Sequence, residues 1–278
     1  MPEIAARTDE PPRATGTDGP ALRVEREGAH LAGLIWTLVR TDFKTRYHGT
    51  IGGFLWALLK PVTMFFVLYA VFSFVFASNP AYKLNLIIGL FLYEFFSEAT
   101  KTGLLSLRAK GFLITKARFP RWAIVVTSAS NAVITLTLFS VALIVVLLLQ
   151  GHPLTPAAVA LYAFYQVQFL LLVIGFSLGA SVLFMRFRDL NQIWEVVIHA
   201  GFFVAPIIYP LEILPERLHL YLYVWPPTPI MMFSRAVLVD AAVPSLAAHV
   251  YLVVETAVIL AAGALIYRVA SRRIAEYV

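Results

Sequence analysis

The sequence predicts an all-α polytopic membrane protein with six transmembrane helices, an N-terminal amphipathic interface helix and short re-entrant helices between the fifth and sixth spans. The chain is 60% hydrophobic and only 14% charged, with a mean hydropathy of +0.79. A globular domain is nearer half apolar and a quarter charged. Trp122–Leu149 and Ala157–Met185 carry no charged residue at all, and each exceeds the ~20 residues that take a helix across a bilayer. Lys and Arg, moreover, gather in alternate connections. With 278 residues mostly used by the spans, no large soluble domain fits.

Residues 1–29 are rich in Pro, Gly, Arg, Glu and Thr and poor in large apolar side chains. Such a composition cannot bury a core and predicts a disordered tail. It also lacks the apolar stretch of a signal peptide, which keeps the N-terminus in the cytoplasm. Residues 30–48 follow. Leu31, Leu34, Ile35 and Leu38 share one helical face, Val39, Phe43 and Tyr47 continue beside it, and Arg40 and Lys44 stand opposite. The stretch is too short and too charged to span, so it reads as an amphipathic helix in the inner interface.

The transmembrane body is residues 49–278. Its spans are read as Gly53–Ala77, Leu84–Thr100, Trp122–Leu149, Ala157–Leu183, Leu190–Tyr209 and Val243–Tyr267. Orientation follows from the basic residues. Arg40, Lys44 and Arg46 precede the first span. Lys101, Arg108, Lys110, Lys116, Arg118 and Arg121 lie between the second and third, Arg186 and Arg188 after the fourth, and Arg268, Arg272 and Arg273 after the sixth. The other side offers Lys83, Arg217 and Arg235. Both termini are therefore expected in the cytoplasm, and the net charge of +6 reflects this bias rather than nucleic-acid binding.

Between the fifth and sixth spans lies "FFVAPIIYPLEILPERLHLYLYVWPPTPI", residues 202–230, with Pro206, Pro210, Pro215, Pro226, Pro227 and Pro229. Each proline removes an N–H and clashes with the preceding turn, so no single straight helix can hold them. The segment is nevertheless too apolar for a solvated loop. Broken backbone at membrane depth survives only where protein or a water-filled cavity covers it. Residues 206–240 thus read as short helices dipping into the outer leaflet, with an ordinary interfacial loop as the alternative, and Tyr209, Tyr221, Tyr223 and Trp225 suit interface level.

Chemistry is conspicuously thin. No phosphate-cradling G-x-x-x-x-G-K-[ST] occurs, no zinc-protease or nucleophile-elbow motif, and the six His are scattered. Cysteine is absent, which excludes disulfides and thiolate metal sites. No metal or cofactor is expected in this chain, and any ATP and Mg belong to a partner. Glu94, Glu98, Glu195, His199 and Glu255 are intramembrane ionisable groups and hence candidates for function. Glu195 and His199, at i and i+4, could share a proton, although Glu98 and Glu195 lie where Lys, Arg or water can reach them. Dense aromatics, among them Tyr69, Tyr93 and Tyr165, offer rigid faces past which sugars could slide; helix packing and lipid contact explain any single ring as well.

Three stretches together, "TDFKTRYHGTIGGFLWALLKP" (41–61), "FLITKARFPR" (112–121) and "FRDLNQIWEVVIHAGFFVAPIIYP" (187–210), resemble the permease subunits of type-2 ABC exporters, in the branch that exports lipid-linked polysaccharides, O-antigens and teichoic acids. "VWPPTP" at 224–229 departs from that pattern, where the family more often shows Asn-Pro. The resemblance implies an ATP-driven exporter subunit in the bacterial cytoplasmic (inner) membrane, working as two permeases with two ABC ATPase subunits on a lipid-linked glycan. It implies ATPase docking through Lys116, Arg118, Phe119, Pro120 and Arg121, and through Arg186, Arg188 and Asp189. It further implies a channel and gate lined by Tyr69, Tyr93, Tyr165, Pro206, Tyr209, Pro210, Leu214, Tyr221 and Trp225. The rival readings are an ABC exporter of drugs or smaller lipids, a proton-coupled carrier using Glu195 and His199, and a membrane glycosyltransferase. No inverted repeat supports the carrier, and no extramembrane acid cluster supports the enzyme.

Overall fold

The computed structural model describes residues 33–44, 55–111, 120–152 and 154–271. The predicted tail and docking residues Lys116, Arg118 and Phe119 lie outside the described residues. The chain divides into two compact units, Met1–Thr37 and Leu38–Val278. Among the described residues all regular structure is helical, so this is an all-α membrane protein. Among the described residues, three helical stretches are long and apolar enough to cross a bilayer: Arg121–Leu149, Pro156–Arg186 and Leu246–Ala270.

A helix over 33–44 (α1) falls within the predicted amphipathic stretch. In its second half Leu38, Val39, Asp42 and Phe43 are half-buried, while Arg40, Thr41 and Lys44 are exposed, the two-faced pattern of a 3.6-residue period. Helix α2 (Leu55–Phe72) carries Pro61. It stops five residues short of the predicted end of the first span. The chain then runs through turns to Asn79, whose side-chain oxygen accepts the Ala81 N–H at 2.9 Å, a local bond that competes with helix propagation and leads into Pro80.

Helix α3 (Tyr82–Ala109) is the centre of the structure: Leu86, Ile88, Leu92, Phe96, Ala99 and Leu107 are all essentially inaccessible. It runs nine residues past the predicted second span. The extension "KTGLLSLRA" has helix-forming residues and its own buried face, Leu104 and Leu107, and Gly103 lets the Ser177 side chain sit against its backbone. The third predicted span is two helices, α4 (Arg121–Ser128) and α5 (Ser130–Leu149), broken at Ala129. Thr127 Oγ1 donates back to the Ala123 carbonyl at 2.8 Å, and Ser128 donates to Val125. Hydroxyls returned to the preceding turn bend helices. Gly151, at φ +71°, closes α5 with its N–H on Leu148 and that of His152 on Leu147, the left-handed stop that glycine adopts without strain.

Helix α6 (Pro156–Arg186) starts with Pro156 at its first position and with Thr155 accepting the Ala158 N–H at 3.1 Å, both favourable at an N-terminus. Helix α7 (Leu190–Val204) has only 15 residues, about 22 Å of rise. Pro206 ends it, because the residue before a proline is forced out of the helical region; Ala205 sits at ψ 138°. A 3-10 turn at Leu211–Ile213, helix α8 (Glu216–Tyr223) and helix α9 (Pro227–Leu238) follow. Pro210 and Pro215 immediately precede the first two, and Pro227 and Pro229 lie in the opening turn of α9, where a missing N–H costs nothing. Helix α10 (Leu246–Ala270) is capped by Ser245, which accepts the Ala248 N–H.

Helix α6 packs on α3, α9 and α10. Its contact with α10 is backbone on backbone. A Cβ at Gly175 would stand 2.6 Å from Leu260 Cα, one at Gly179 3.2 Å from Gly263 Cα, and one at Gly263 1.7 Å from the Gly175 carbonyl oxygen. Small residues four apart are the means by which membrane helices approach this closely. Leu107 of α3, Ile124 and Val125 of α4 and Val182 of α6 form a second cluster, backed by Tyr267 and Ala270 of α10. One end of the bundle is thereby knit together, and Arg121 there donates to the Ser271 carbonyl at 3.1 Å.

Candidate functional site

Helices α2, α3 and α7 enclose an apolar groove of about 600 Å³. Trp56, Met64 and Phe203 are exposed along it. Two ion pairs cross between helices there. Lys60 Nζ of α2 lies 2.6 Å from Glu94 Oε1 of α3, and Lys101 Nζ of α3 lies 3.0 Å from Glu195 Oε1 of α7. Glu94 and Lys101 are seven residues apart, two helical turns on one face, so α3 presents an acid to one neighbour and a base to the other. Both pairs are partly exposed, and the stability each contributes is correspondingly small. Their effect is to remove net charge from an apolar wall.

The predicted partnership of Glu195 with His199 takes another form. The Glu195 carboxylate goes to Lys101, whereas His199 Nδ1 faces the Glu195 backbone carbonyl at 2.7 Å. Tyr93 lines the groove, with its hydroxyl donated to the Ile198 carbonyl at 2.5 Å and its ring edge-on to Phe202 at 5.4 Å. Tyr69 instead stacks between Phe65 and Tyr82, at 5.6 and 6.5 Å. Tyr165 is fully buried between α6, α9 and α10, where its hydroxyl meets His249 Nε2 at 2.9 Å and its ring packs on Phe233.

The proline-broken segment closes over one end of α3, α6 and α7. Trp225 inserts against α7 where Gly201 leaves no side chain; a Cβ there would meet the indole at 2.2 Å. Its ring is edge-on to Phe96 at 5.7 Å. Tyr209 turns back and donates to the Val204 carbonyl at 2.8 Å, satisfying the end of α7. The Leu214 carbonyl faces His219 Nε2 at 3.0 Å. Tyr221 is 71% exposed, so α8 leaves an aromatic on the surface while α9 is almost wholly interior. Pro206 contributes its carbonyl to Arg235 Nη1 at 2.6 Å, and Pro210 leads into the 3-10 turn.

At the opposite end, Pro120 precedes α4 in an extended conformation and Arg121 is tied to Ser271. Arg186, Phe187, Arg188 and Asp189 are exposed, with the Arg186 guanidinium over the Phe187 ring at 5.2 Å. Sequence reasoning did not single out Lys60 or Lys101 as partners of the glutamates; the signal for Lys60 is a lysine inside an otherwise apolar span. Nor did it single out Arg235, which is 5% exposed and gives Nε to the Asn85 carbonyl at 2.9 Å. Nor did it single out Gly175 and Gly179, for which the G-x-x-x-G spacing within an apolar run is the available signal.

Residues 33–239 match the ABC-2 type transporter family. The chain is similar to an O-antigen export system permease protein of Myxococcus xanthus, at 28% identity over 201 residues, covering 70% of this chain and 75% of that protein. It is similar to one from Klebsiella pneumoniae, at 28% over 204 residues, covering 71% and 76%.

Proposed function

The chain belongs to the ABC-2 type transporter family, and from that premise we propose that it exports a lipid-linked polysaccharide of O-antigen type from the cytoplasmic face outward. It is a transporter membrane subunit rather than an enzyme, and the family implies an ABC ATPase partner. The observation that carries the substrate is the similarity to O-antigen export permeases. The match covers α2, α3 and α7, which form the groove, and the whole proline-broken segment. A charge-balanced groove with aromatic walls suits a polymer that must slide without being held at one point.

The arrangement in the membrane belongs to the same proposal. The chain crosses the bacterial inner membrane six times with both termini inside, α8 and α9 re-enter the outer leaflet as a gate, and two copies form the channel. The basic end bearing Arg121 and Arg186–Asp189 meets the ATPase, together with residues 116–119. Deleting the gene should leave lipid-linked polymer inside the cell and none at the surface. Restoring it with Phe119→Asp should restore neither export nor co-purification of the ATPase. Normal surface polysaccharide in the deletion strain would overturn the substrate; full complex yield with Phe119→Asp would overturn the docking.

Proton coupling through Glu195 and His199 is the one rival with a specific residue pair behind it, and the Lys101 partner weakens it. The carboxylate is engaged by the Lys101 ammonium, and the imidazole meets only the Glu195 backbone carbonyl, so the two side chains are not paired with each other. The double variant Glu195→Gln/His199→Gln should still export polymer when the proton gradient is collapsed and ATP is maintained. Export that stops in the wild type on collapsing the gradient, with ATP unchanged, would bring the carrier back.

A further inference from the structure

We propose that a chamber beneath the proline-broken segment binds a sugar residue of the outgoing glycan. The chamber has a volume of about 340 Å³, at the small end of the ~300–1,000 Å³ typical of ligand pockets. It has room for a short piece and not for a polymer. The identity of its ligand as exported glycan, and its place at the outer mouth, rest on the export reading above.

The walls come from the start of α3, the 207–212 connection, α9 and the loop after it. Two buried acceptor or donor groups in that wall lack a partner: the Tyr82 hydroxyl and Asn85 Oδ1. Tyr82 is only 4% exposed. Buried polar atoms are nearly always satisfied, so two orphans lining one polar chamber ask for something that hydrogen-bonds. Glu212 and Asp240 add carboxylates to the same wall. Burial and the nearby Glu212 push the Asp240 carboxyl above its ordinary range, against the pull of Arg235. A carboxylate strained in this way gains from any hydroxyl that donates to it. Tyr223 and Phe233 complete the lining with rings.

The charge pattern selects the ligand class. Arg235 is occupied, donating to the backbone carbonyls of Asn85 and Pro206. Two carboxylates beside it repel phosphate and other anions. A cation would find no cluster of ligands, since no group of three or more His, Asp or Glu suited to a metal exists among the described residues. What remains is a neutral polyol. Its hydroxyls can donate to Asp240, Glu212 and Asn85 and accept from Tyr82, and the C–H face of its ring can lie on an aromatic. Amphipathic rings beside well-placed polar groups fit sugar on both counts.

The test is saturation-transfer NMR on the full chain in lipid nanodiscs, with methyl glycosides of glucose, galactose, mannose, rhamnose and N-acetylglucosamine as probes. At least one should receive saturation from the wild type. Tyr82→Phe and Asp240→Asn should each weaken that glycoside at least tenfold, while the thermal midpoint stays within about 2 °C of the wild type. The pair keeps the test decisive if one variant misfolds. No transfer to any glycoside overturns the proposal, as does transfer unchanged in both variants. Displacement of the glycoside by methyl phosphate makes the site an anion site and also overturns it. Failure of the export reading is separate: it shows as normal surface polysaccharide in the deletion strain, whatever the glycosides do.

Discussion

Purified Arg235→Met protein unfolds roughly 6–20 °C below the wild type. Arg235 is nearly inaccessible, and its two shorter backbone bonds run to the carbonyls of Asn85 at 2.9 Å and Pro206 at 2.6 Å; a third donor reaches the Ile207 carbonyl at 3.4 Å. Those acceptors belong to the start of α3 and to the chain leaving α7, so one side chain joins three elements. Hydrogen bonds from a charged donor are worth ~1.5–3 kcal/mol each, and a carbonyl left buried without one costs ~1–3 kcal/mol. Because the desolvation cost of the guanidinium offsets part of this, about 3–5 kcal/mol is the net expectation. At ~2–4 °C per kcal/mol for a chain of this size, that gives the stated shift. Arg235→Lys should fall between, since an ammonium on a flexible stem lacks the planar fork that spans separate carbonyls. Gly89→Ala should approach the same loss from the other side, because a Cβ there would stand 2.4 Å from Nη2 of Arg235. A midpoint for Arg235→Met at or above the wild type would show that the tie does not stabilise the fold.

Gly263→Leu yields no monodisperse protein at all. The added carbons would have to occupy space filled by the Gly175 carbonyl, 1.7 Å from the first of them. No flexible side chain lies there to move, so α6 and α10 must part along their whole contact. Overpacking costs ~1–3 kcal/mol where side chains can shift, and more where they cannot. Gly263→Ala should be recoverable with a lowered midpoint. Gly33→Ala is the internal control, since a Cβ there meets nothing within 4 Å and alanine favours helix over glycine by ~1 kcal/mol. Size-exclusion profiles and thermal midpoints of the three read the prediction directly. A normal profile with a wild-type midpoint for Gly263→Leu would refute the backbone contact.

The parts legible in the sequence are those set by local chemistry. Each proline in 206–229 ends a helix, precedes one or occupies its opening turn, as the missing N–H requires, and the long uncharged runs are helical. The break at Ala129 was less visible, because Thr127 and Ser128 bend a helix only when their hydroxyls turn back on it. Helix α3 outran its expected length because apolar counting stops at Lys101, while Leu104 and Leu107 find buried positions against α6 and its neighbours. Ion pairs 34 and 94 residues apart in sequence cannot be read from spacing, since they depend on how three helices are rotated about their own axes. The inward face of Tyr165 was hidden for the same reason. An aromatic in a span looks alike whether it meets lipid, a neighbour or a channel.

The two lysine–glutamate pairs have a consequence for insulation. Each cation in the groove stands beside its own anion, so the wall carries local dipoles but no monopole. A lone sodium ion or proton approaching such a wall would find little attraction to offset the loss of its hydration shell, a loss that is large in any medium poorer in water than the bulk. A long neutral chain holds its water by hydrogen bonds rather than by charge, so each hydroxyl gives up less and could exchange its water for the dipoles one after another. Reversing Lys101 and Glu195 together would preserve that balance, whereas changing either alone would leave a fixed charge and favour the passage of its counter-ion. In a conduit lined this way, the same electroneutrality that lets a bulky polymer slip would keep the membrane potential from draining around it.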